Sequence, residues 1–537
     1  MNATELARAV VETLIGAGLR DAVLAPGSRN APFAFALHTA DAHHLLRLHV
    51  RIDERDAAFL ALGLAKATGR PVPVVTTSGT AVANLTPAVW EAAHAGIPLM
   101  LLTADRPLDH LDAGVNQATR HDRAFGDFVR ADTRLETGVG DAGTVTHQVH
   151  RLLARATGRV GADPGPVHCN VGFATPLVPT DAWTPDPRPD VSISAPPAAT
   201  AEPVPAGPRT VLLVGDTDPA TGRAAHAAAR AARIPVLAEP SGNARRPGAI
   251  AAYRLVLGTD LGRRIERVVV IGRPTLSRPV STLLARGDIE LIMVNTRGDW
   301  IDPGHRVSRV VPAVDLEPAD PAWDDAWTAA DRHLGAAITE HVTGLDHLDG
   351  HTLAALVIAH SRGNLVLGAS QLIRDADLAP VAEHPADVWA NRGLAGIDGT
   401  ISTAAGIALG TGRPTTALLG DVTALHDAGG LLIGPDEPRP DLRLVIGNDD
   451  GGSIFHTLEQ GDPAHAAVFE RTFATPHRVD LAGLAAAYGW AYRRETTADG
   501  LTAALAADPS GTELIEVPLR RDQRRDLAAH LGGLARG

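Results

Sequence analysis

Short apolar runs, each ending in a small-residue or acidic turn and leading into a helical stretch, recur along this 537-residue chain. Parallel strands need long crossovers, and a repeat of this kind closes into a doubly wound parallel sheet, so the expected class is α/β. In the first third the runs DAVLA, RLHV, PVPVV and IPLMLL lead into PGSRN, RIDER, TTSGT and TADRP. TVLLVGD, IPVLAEP, RVVVIGRP and IELIMVN repeat the plan in the middle, and NLVLGAS, ALLGD and LRLVIGN in the last third. Residues 184–208 are dense in Pro and Ala without periodicity, which reads as a linker. The expected domains are therefore 1–183, 209–337 and 346–537, three doubly wound parallel-sheet units.

Ligands of such sheets bind at the C-terminal strand ends. In the last third, Asp421 follows one apolar run, and Asn448, Asp449 and Asp450 follow the next, with Gly451 and Gly452 letting the backbone come close. Hard oxygen ligands in this spacing suit Mg²⁺, which also takes phosphate oxygens, so a diphosphate held through the metal is the natural reading. Either turn alone is explained as well by the preference of turns for Gly and Asp; the two together are harder to dismiss. In the first third the strand ends carry Ser28, Arg29, Glu54, Arg106, Asn116, Gln117 and Arg120. Guanidinium and amide groups gathered at one edge suit carboxylate ligands. The plain structural alternatives are Ser28 as a helix cap and Glu54 as a helix-dipole partner worth about 0.3–1 kcal/mol.

Composition removes other classes. The net charge of -13, with no Lys/Arg run, leaves no footprint for nucleic acid or an anionic membrane. One cysteine, Cys169, excludes an internal disulfide framework and reads as a buried small hydrophobe in a reducing compartment. No apolar run approaches about 18 residues and the N-terminus lacks signal-peptide order, so the expectation is a cytoplasmic protein without membrane insertion. The 23 His fall in no zinc spacing, and GxSxG, P-loop and dinucleotide motifs are missing.

APGSRN, RIDERDAAF, TTSGTAVANLTPAVWEA, LLTADRP, NQATRHDR, NRGLAGIDGTISTAAG and GDVTALHD closely resemble the 2-succinyl-5-enolpyruvyl-6-hydroxy-3-cyclohexene-1-carboxylate synthase family, thiamine diphosphate enzymes of menaquinone biosynthesis. The resemblance implies a pyrimidine-binding, a central and a diphosphate-binding domain, with thiamine diphosphate and Mg²⁺ as cofactors and Mn²⁺ as a substitute metal. It implies Asp421, Asp449 and the Gly451 carbonyl as metal ligands, although Asp449 stands where the superfamily signature usually has a second Asn. Glu54 is implied at the pyrimidine N1′, and Thr77, Ser78, Gly79, Ile397, Gly420, Ile454 and Phe455 around the rest of the cofactor.

The implied reaction is decarboxylation of 2-oxoglutarate and conjugate addition of the succinyl carbanion to isochorismate. Ser370, Arg374 and Arg392 are implied on the oxoglutarate side and Ser28, Arg29, Arg106, Asn116 and Gln117 on the isochorismate side, with a further substrate contact from Arg278. A homodimer or dimer of dimers is implied, with Glu54 of one chain meeting the metal loop of another. Two rivals remain: an acetolactate synthase-like enzyme, which an arginine-rich pocket disfavours, and a non-catalytic homologue, against which Glu54 and Asp421 count.

Overall fold

Asn2 and Glu5 start the chain's first helix, Ala3–Gly16, with a reciprocal capping box: Asn2 Oδ1 accepts from the Glu5 N–H and Glu5 Oε2 from the Asn2 N–H, both at 2.9 Å. Leu6, Val10 and Leu14 then lie on one face, buried with Leu37, Val75, Leu102 and Phe173. The computed structural model describes residues 1–193, 199–345 and 347–536, so 194–198 of the expected linker and Asp346, the expected start of the third domain, lie outside it.

Three all-parallel sheets carry the fold. The first runs Arg47–Val50, Asp21–Leu24, Val72–Thr76, Leu99–Asp105, Val167–Gly172, Asp132–Glu136. The third runs Asp387–Ala390, Asn364–Leu367, Thr415–Gly420, Leu442–Asn448, Thr512–Pro518, Ala491–Arg494. Numbered within each sheet, both have the order 2-1-3-4-6-5, so in both the direction of winding reverses between the first and third strands. That reversal opens a crevice at the C-terminal strand ends. The middle sheet runs Arg309–Val311, Glu290–Val294, Arg267–Ile271, Thr210–Val214, Val236–Ala238 and reverses in the same way. Its strands are buried on both faces, one against Tyr253, Trp323 and Trp327 and the other against Ala225, Ala229 and Ala232.

The expected linker is not featureless. Glu202–Val204 pairs in parallel with Val314–Leu316 as a separate two-stranded ribbon, where Pro203 is tolerated because a ribbon this small has open edges. Cys169 is fully buried in the first core, and burial pushes its thiol up to about 12.

By packing, the chain forms two compact units. One is Met1–Pro197 together with Gly393–Gly412 and Asp427–Pro440; the other is the remaining chain. In the first unit, helix Glu54–Thr68 crosses helix Thr400–Thr411 glycine on glycine. A Cβ on Gly63 would meet the Thr403 carbonyl oxygen at 2.2 Å, and one on Gly406 the Leu60 carbonyl oxygen at 2.3 Å. Gly406→Ala is therefore expected to cost about 1–3 kcal/mol through overpacking. A lowered thermal unfolding midpoint checks it, and an unchanged one would mean the helices part freely.

Candidate functional site

In the second unit, strand Thr415–Gly420 delivers Asp421 as the first residue of a short helix, and the neighbouring strand Leu442–Asn448 delivers Asp449. Both side chains are buried. Asp421 Oδ2 accepts from the Gly451 N–H at 2.8 Å and lies 3.0 Å from His477 Nε2. Burial, and then the charge of Asp421, push the Asp449 carboxyl up to about 7. Arg524 Nη2 lies 3.8 Å from Asp449, while its Nη1 donates to Asp375 at 2.7 Å.

The two other polar residues of the loop turn away. Asn448 donates to Glu516 at 2.7 Å, and Asp450 Oδ1 accepts from the His477 and Arg478 amides at 3.1 and 2.7 Å. Gly451 is at φ +142°, and a Cβ there would meet the Ala474 carbonyl at 2.1 Å, so only glycine fits.

Among the described residues no three His, Cys, Asp or Glu side chains gather as a metal centre. Two adjoining buried carboxylates fit a divalent cation whose shell is completed by a backbone carbonyl and phosphate oxygens, and a cation there would relieve their repulsion. Gly420 beside Ser370 Oγ leaves the backbone open for that phosphate. Ile454 and Phe455 are half-buried just beyond, on a 3-10 turn, Ser453–Thr457.

Cations collect at the crevice of the same unit. Ser370 caps helix Gln371–Ala376, its Oγ accepting from the Leu372 N–H at 3.3 Å. On that helix Arg374 donates to the Leu276 carbonyl at 2.8 Å, and Arg392, just past strand Asp387–Ala390, donates to Thr275 Oγ1 at 2.9 Å. Burial, then Arg392 and Arg254, hold the Arg374 guanidinium below its ordinary value. Arg392 Nε is buried and makes no hydrogen bond with a described residue, as expected of a donor that meets an anion. A cavity of about 1010 Å³ is lined by Arg254, Ser277, Arg278, Gln371 and Arg374. Arg278 itself is exposed and pairs with Glu459 at 2.7 Å.

The first unit presents the remaining candidates. The PGSRN and TTSGT turns touch: a Cβ on Gly27 would meet Thr77 Cβ at 2.4 Å. Arg29 donates to the Phe173 carbonyl at 2.8 Å, its buried Nε has no partner among described residues, and burial followed by Arg106 lowers its pKa. Arg106 donates to the Asn116 carbonyl at 2.6 Å. Gln117, at φ +59°, and Ser78 exchange side-chain-to-carbonyl hydrogen bonds at 2.8 and 2.9 Å, and the Gly79 N–H donates to His121 at 3.1 Å.

Ser28 and Asn116 are exposed, Ile397 is half-buried, and Ser28 does not cap the helix after it. Arg120 pairs with Asp112 at the surface instead of joining the group. Glu54 is half-buried at the first position of its helix, with Asn84 Nδ2 3.4 Å from its Oε2.

Sequence reasoning missed His477, Arg524 and Asp375 around Asp421 and Asp449. It also missed a second acid pair, Asp56 with Asp427, whose members are 2% and 0% exposed. Asp427 accepts from the Ser402 N–H at 2.8 Å, and its carboxyl is hydrogen-bonded to that of Asp56. Burial, then the charge of Asp56, raise Asp427 well above the carboxylate range; burial and Asp53 raise Asp56. The pair therefore holds one proton between two oxygens.

The thiamine pyrophosphate enzyme, N-terminal TPP binding domain family matches residues 4–124. Along nearly its whole length the chain is similar to proteins named 2-succinyl-5-enolpyruvyl-6-hydroxy-3-cyclohexene-1-carboxylate synthase. That of Kineococcus radiotolerans is 47% identical over 97% of each chain. That of an Arthrobacter species is 45% identical over 98% of this chain and 91% of the relative. That of a Nocardioides species is 46% identical over 99% of this chain and 98% of the relative.

The shared proton sets a pH dependence. The folded chain keeps a proton that the unfolded chain releases above the ordinary carboxylate range, so this pair's contribution to stability falls as pH rises from about 4 towards the raised folded value. Asp427→Asn keeps a neutral partner for Asp56 and should lose less stability than the wild type between pH 5 and pH 8. Urea unfolding at the two pH values measures the difference, and parallel losses would show that the pair does not share a proton.

Proposed function

The chain belongs to the 2-succinyl-5-enolpyruvyl-6-hydroxy-3-cyclohexene-1-carboxylate synthases, and on that premise we propose that its two groups of strand ends hold thiamine diphosphate, a divalent metal and two anionic substrates. The protein is a thiamine diphosphate-dependent enzyme of menaquinone biosynthesis. Its reaction removes CO₂ from 2-oxoglutarate and adds the remaining succinyl group to the ring of isochorismate. The observation that carries the site assignment is the buried pair Asp421 and Asp449 at neighbouring strand ends, in one unit with the arginine-lined crevice.

When bound, the cofactor supplies the electron sink that a 2-oxo acid needs in order to lose CO₂. Asp421, Asp449 and the Gly451 carbonyl would hold Mg²⁺, or Mn²⁺ in its place, and the open backbone at Gly420 would take the diphosphate. Glu54 holds a proton at the pyrimidine N1′. Thr77, Ser78 and Gly79 would contact the cofactor on its aminopyrimidine side, Ile397 would pack against it, and Ile454 and Phe455 would shield it from water.

Arg374, Arg392 and Ser370 orient the two carboxylates of oxoglutarate. Arg29 and Arg106 pair with isochorismate, beside Ser28, Asn116 and Gln117, and Arg278 is a further substrate contact. Glu54 of one copy meets the Asp421 and Asp449 loop of another in a homodimer or a dimer of dimers. No helix among the described residues is long and apolar enough to cross a membrane, and the proposed site of action is the cytoplasm.

The direct test is an anaerobic assay with Mg²⁺ and thiamine diphosphate in which 2-oxoglutarate and isochorismate disappear together, with release of CO₂. Consumption of the oxo acid without isochorismate would move the enzyme to another lyase. Cofactor with Mg²⁺ should raise the melting temperature, and EDTA should reverse the gain, with Mn²⁺ restoring it. Glu54→Gln should retain that stabilisation and lose turnover by at least about a hundredfold, the general range for proton-transfer catalysis. Near wild-type kcat would remove Glu54 from the mechanism.

A further inference from the structure

The two arginines facing the oxo-acid side both end on one short turn. Arg392 donates to Thr275 Oγ1 at 2.9 Å, and Arg374 to the carbonyl of the next residue, Leu276, at 2.8 Å. The turn follows strand Arg267–Ile271 at the reversal of the middle sheet, where ligand-binding loops sit. It is held from behind by Glu239, which follows strand Val236–Ala238 and is 1% exposed. Glu239 Oε1 accepts from the Leu276 N–H at 2.8 Å and Oε2 from the Thr275 N–H at 3.2 Å. One carboxyl thus grips the amides of the same two residues whose hydroxyl and carbonyl receive the arginines.

The rest of the turn has no slack. A Cβ on Gly215 would meet the Pro274 nitrogen at 2.0 Å, and the Asp216 and Arg273 backbones exchange hydrogen bonds at 3.2 and 3.1 Å. Leu276 is anchored in the core of the third sheet. Arg254 donates to the Arg374 carbonyl at 3.2 Å, which fixes the other end of that arm. Burial pushes the Glu239 carboxyl up to about 8, against the pull of the Leu276 and Thr275 amides and the charge of Arg392. An acidic side chain kept in so unfavourable a place needs a reason beyond filling space.

We infer that Glu239 is a positioning residue for the oxo-acid substrate: by holding the amides of Thr275 and Leu276 it sets where Arg392 and Arg374 point. The inference rests on the assignment of those arginines to the substrate carboxylates. Glu239 touches neither cofactor nor substrate and acts through the turn alone. Its loss therefore weakens recognition of the oxo acid while leaving the metal loop and the first unit's strand ends as they are.

Steady-state kinetics on the full-length holoenzyme separate these effects. Glu239→Leu, which keeps the volume and removes both acceptors, should raise the KM for 2-oxoglutarate about tenfold or more, the range for stranding buried donors. The KM for isochorismate and the affinity for thiamine diphosphate should stay within about twofold, and Glu239→Gln, with one acceptor left, should recover part of the loss. In a double-mutant cycle Glu239→Leu should add less on top of Arg392→Ala than it costs alone, and least when Arg374→Ala is present as well, because it acts through both arginines.

Equal weakening of all three ligands, or effects of Glu239→Leu and Arg392→Ala that multiply independently, would overturn the inference. If Arg374→Ala and Arg392→Ala leave the oxoglutarate KM unchanged, the carboxylate assignment falls and this inference with it. If they raise it and Glu239→Leu does not, the inference alone falls. Should Glu239→Leu fail to fold, Thr275→Val removes the acceptor of Arg392 with Glu239 intact; the same selective rise in KM supports the inference and its absence overturns it.

Discussion

Like charges buried together are the constraint on which the functional parts of this molecule depend. Asp421 sits beside Asp449, and Arg374 beside Arg392 and Arg254; Arg29 sits beside Arg106. Burial, full at the aspartates and Arg392 and partial at the other arginines, makes such crowding costly. The proposed ligands carry the charge each group lacks: a divalent cation for the acidic group and carboxylates for the basic ones. The chain is net acidic, yet Arg254, Arg278 and Arg374 line one cavity. Placement of the arginines, more than their number, suits these strand ends to carboxylate ligands.

The strand ends were legible in the sequence because an apolar run closed by Gly, Ser or Asp leaves few alternatives at a parallel sheet's edge. Asp421 and Asp449 were legible for the same reason. What composition could not tell is which members of a polar run face one another. Asp450 lies in the same run as Asp449, but its φ of +55° turns its carboxylate to the amides of 477 and 478, and Asn448 goes to Glu516. Arg120 shares a segment with Asn116 and Gln117 and pairs outward with Asp112. His477, Arg524 and Glu239 reach their partners across long stretches of chain, and no local period announces such a meeting.

The first and third sheets share one strand order and carry opposite chemistry. At equivalent crevices, the turns of the first offer Ser28, Arg29 and the Ser78–Gly79 backbone, and the turns of the third offer Ser370, Gly420 and Asp421. Topology constrains the apolar strands and the position of the crevice, and it leaves turn residues free to diverge. That is why no residue-level repeat is visible between sheets of identical winding.

The division of the chain into its two units has a consequence for its biosynthesis. Residues 393–412 and 427–440 belong to the unit that begins at Met1, while 413–426 and the stretch from 441 onward belong to the other. No single cut separates the two. A ribosome that has made the entire first sheet still holds a unit missing helix Thr400–Thr411, whose glycines seat against the helix that starts at Glu54. Residues 69–399 must be made before that surface is covered, and for that interval it stays open to the sticking that exposed helix faces invite.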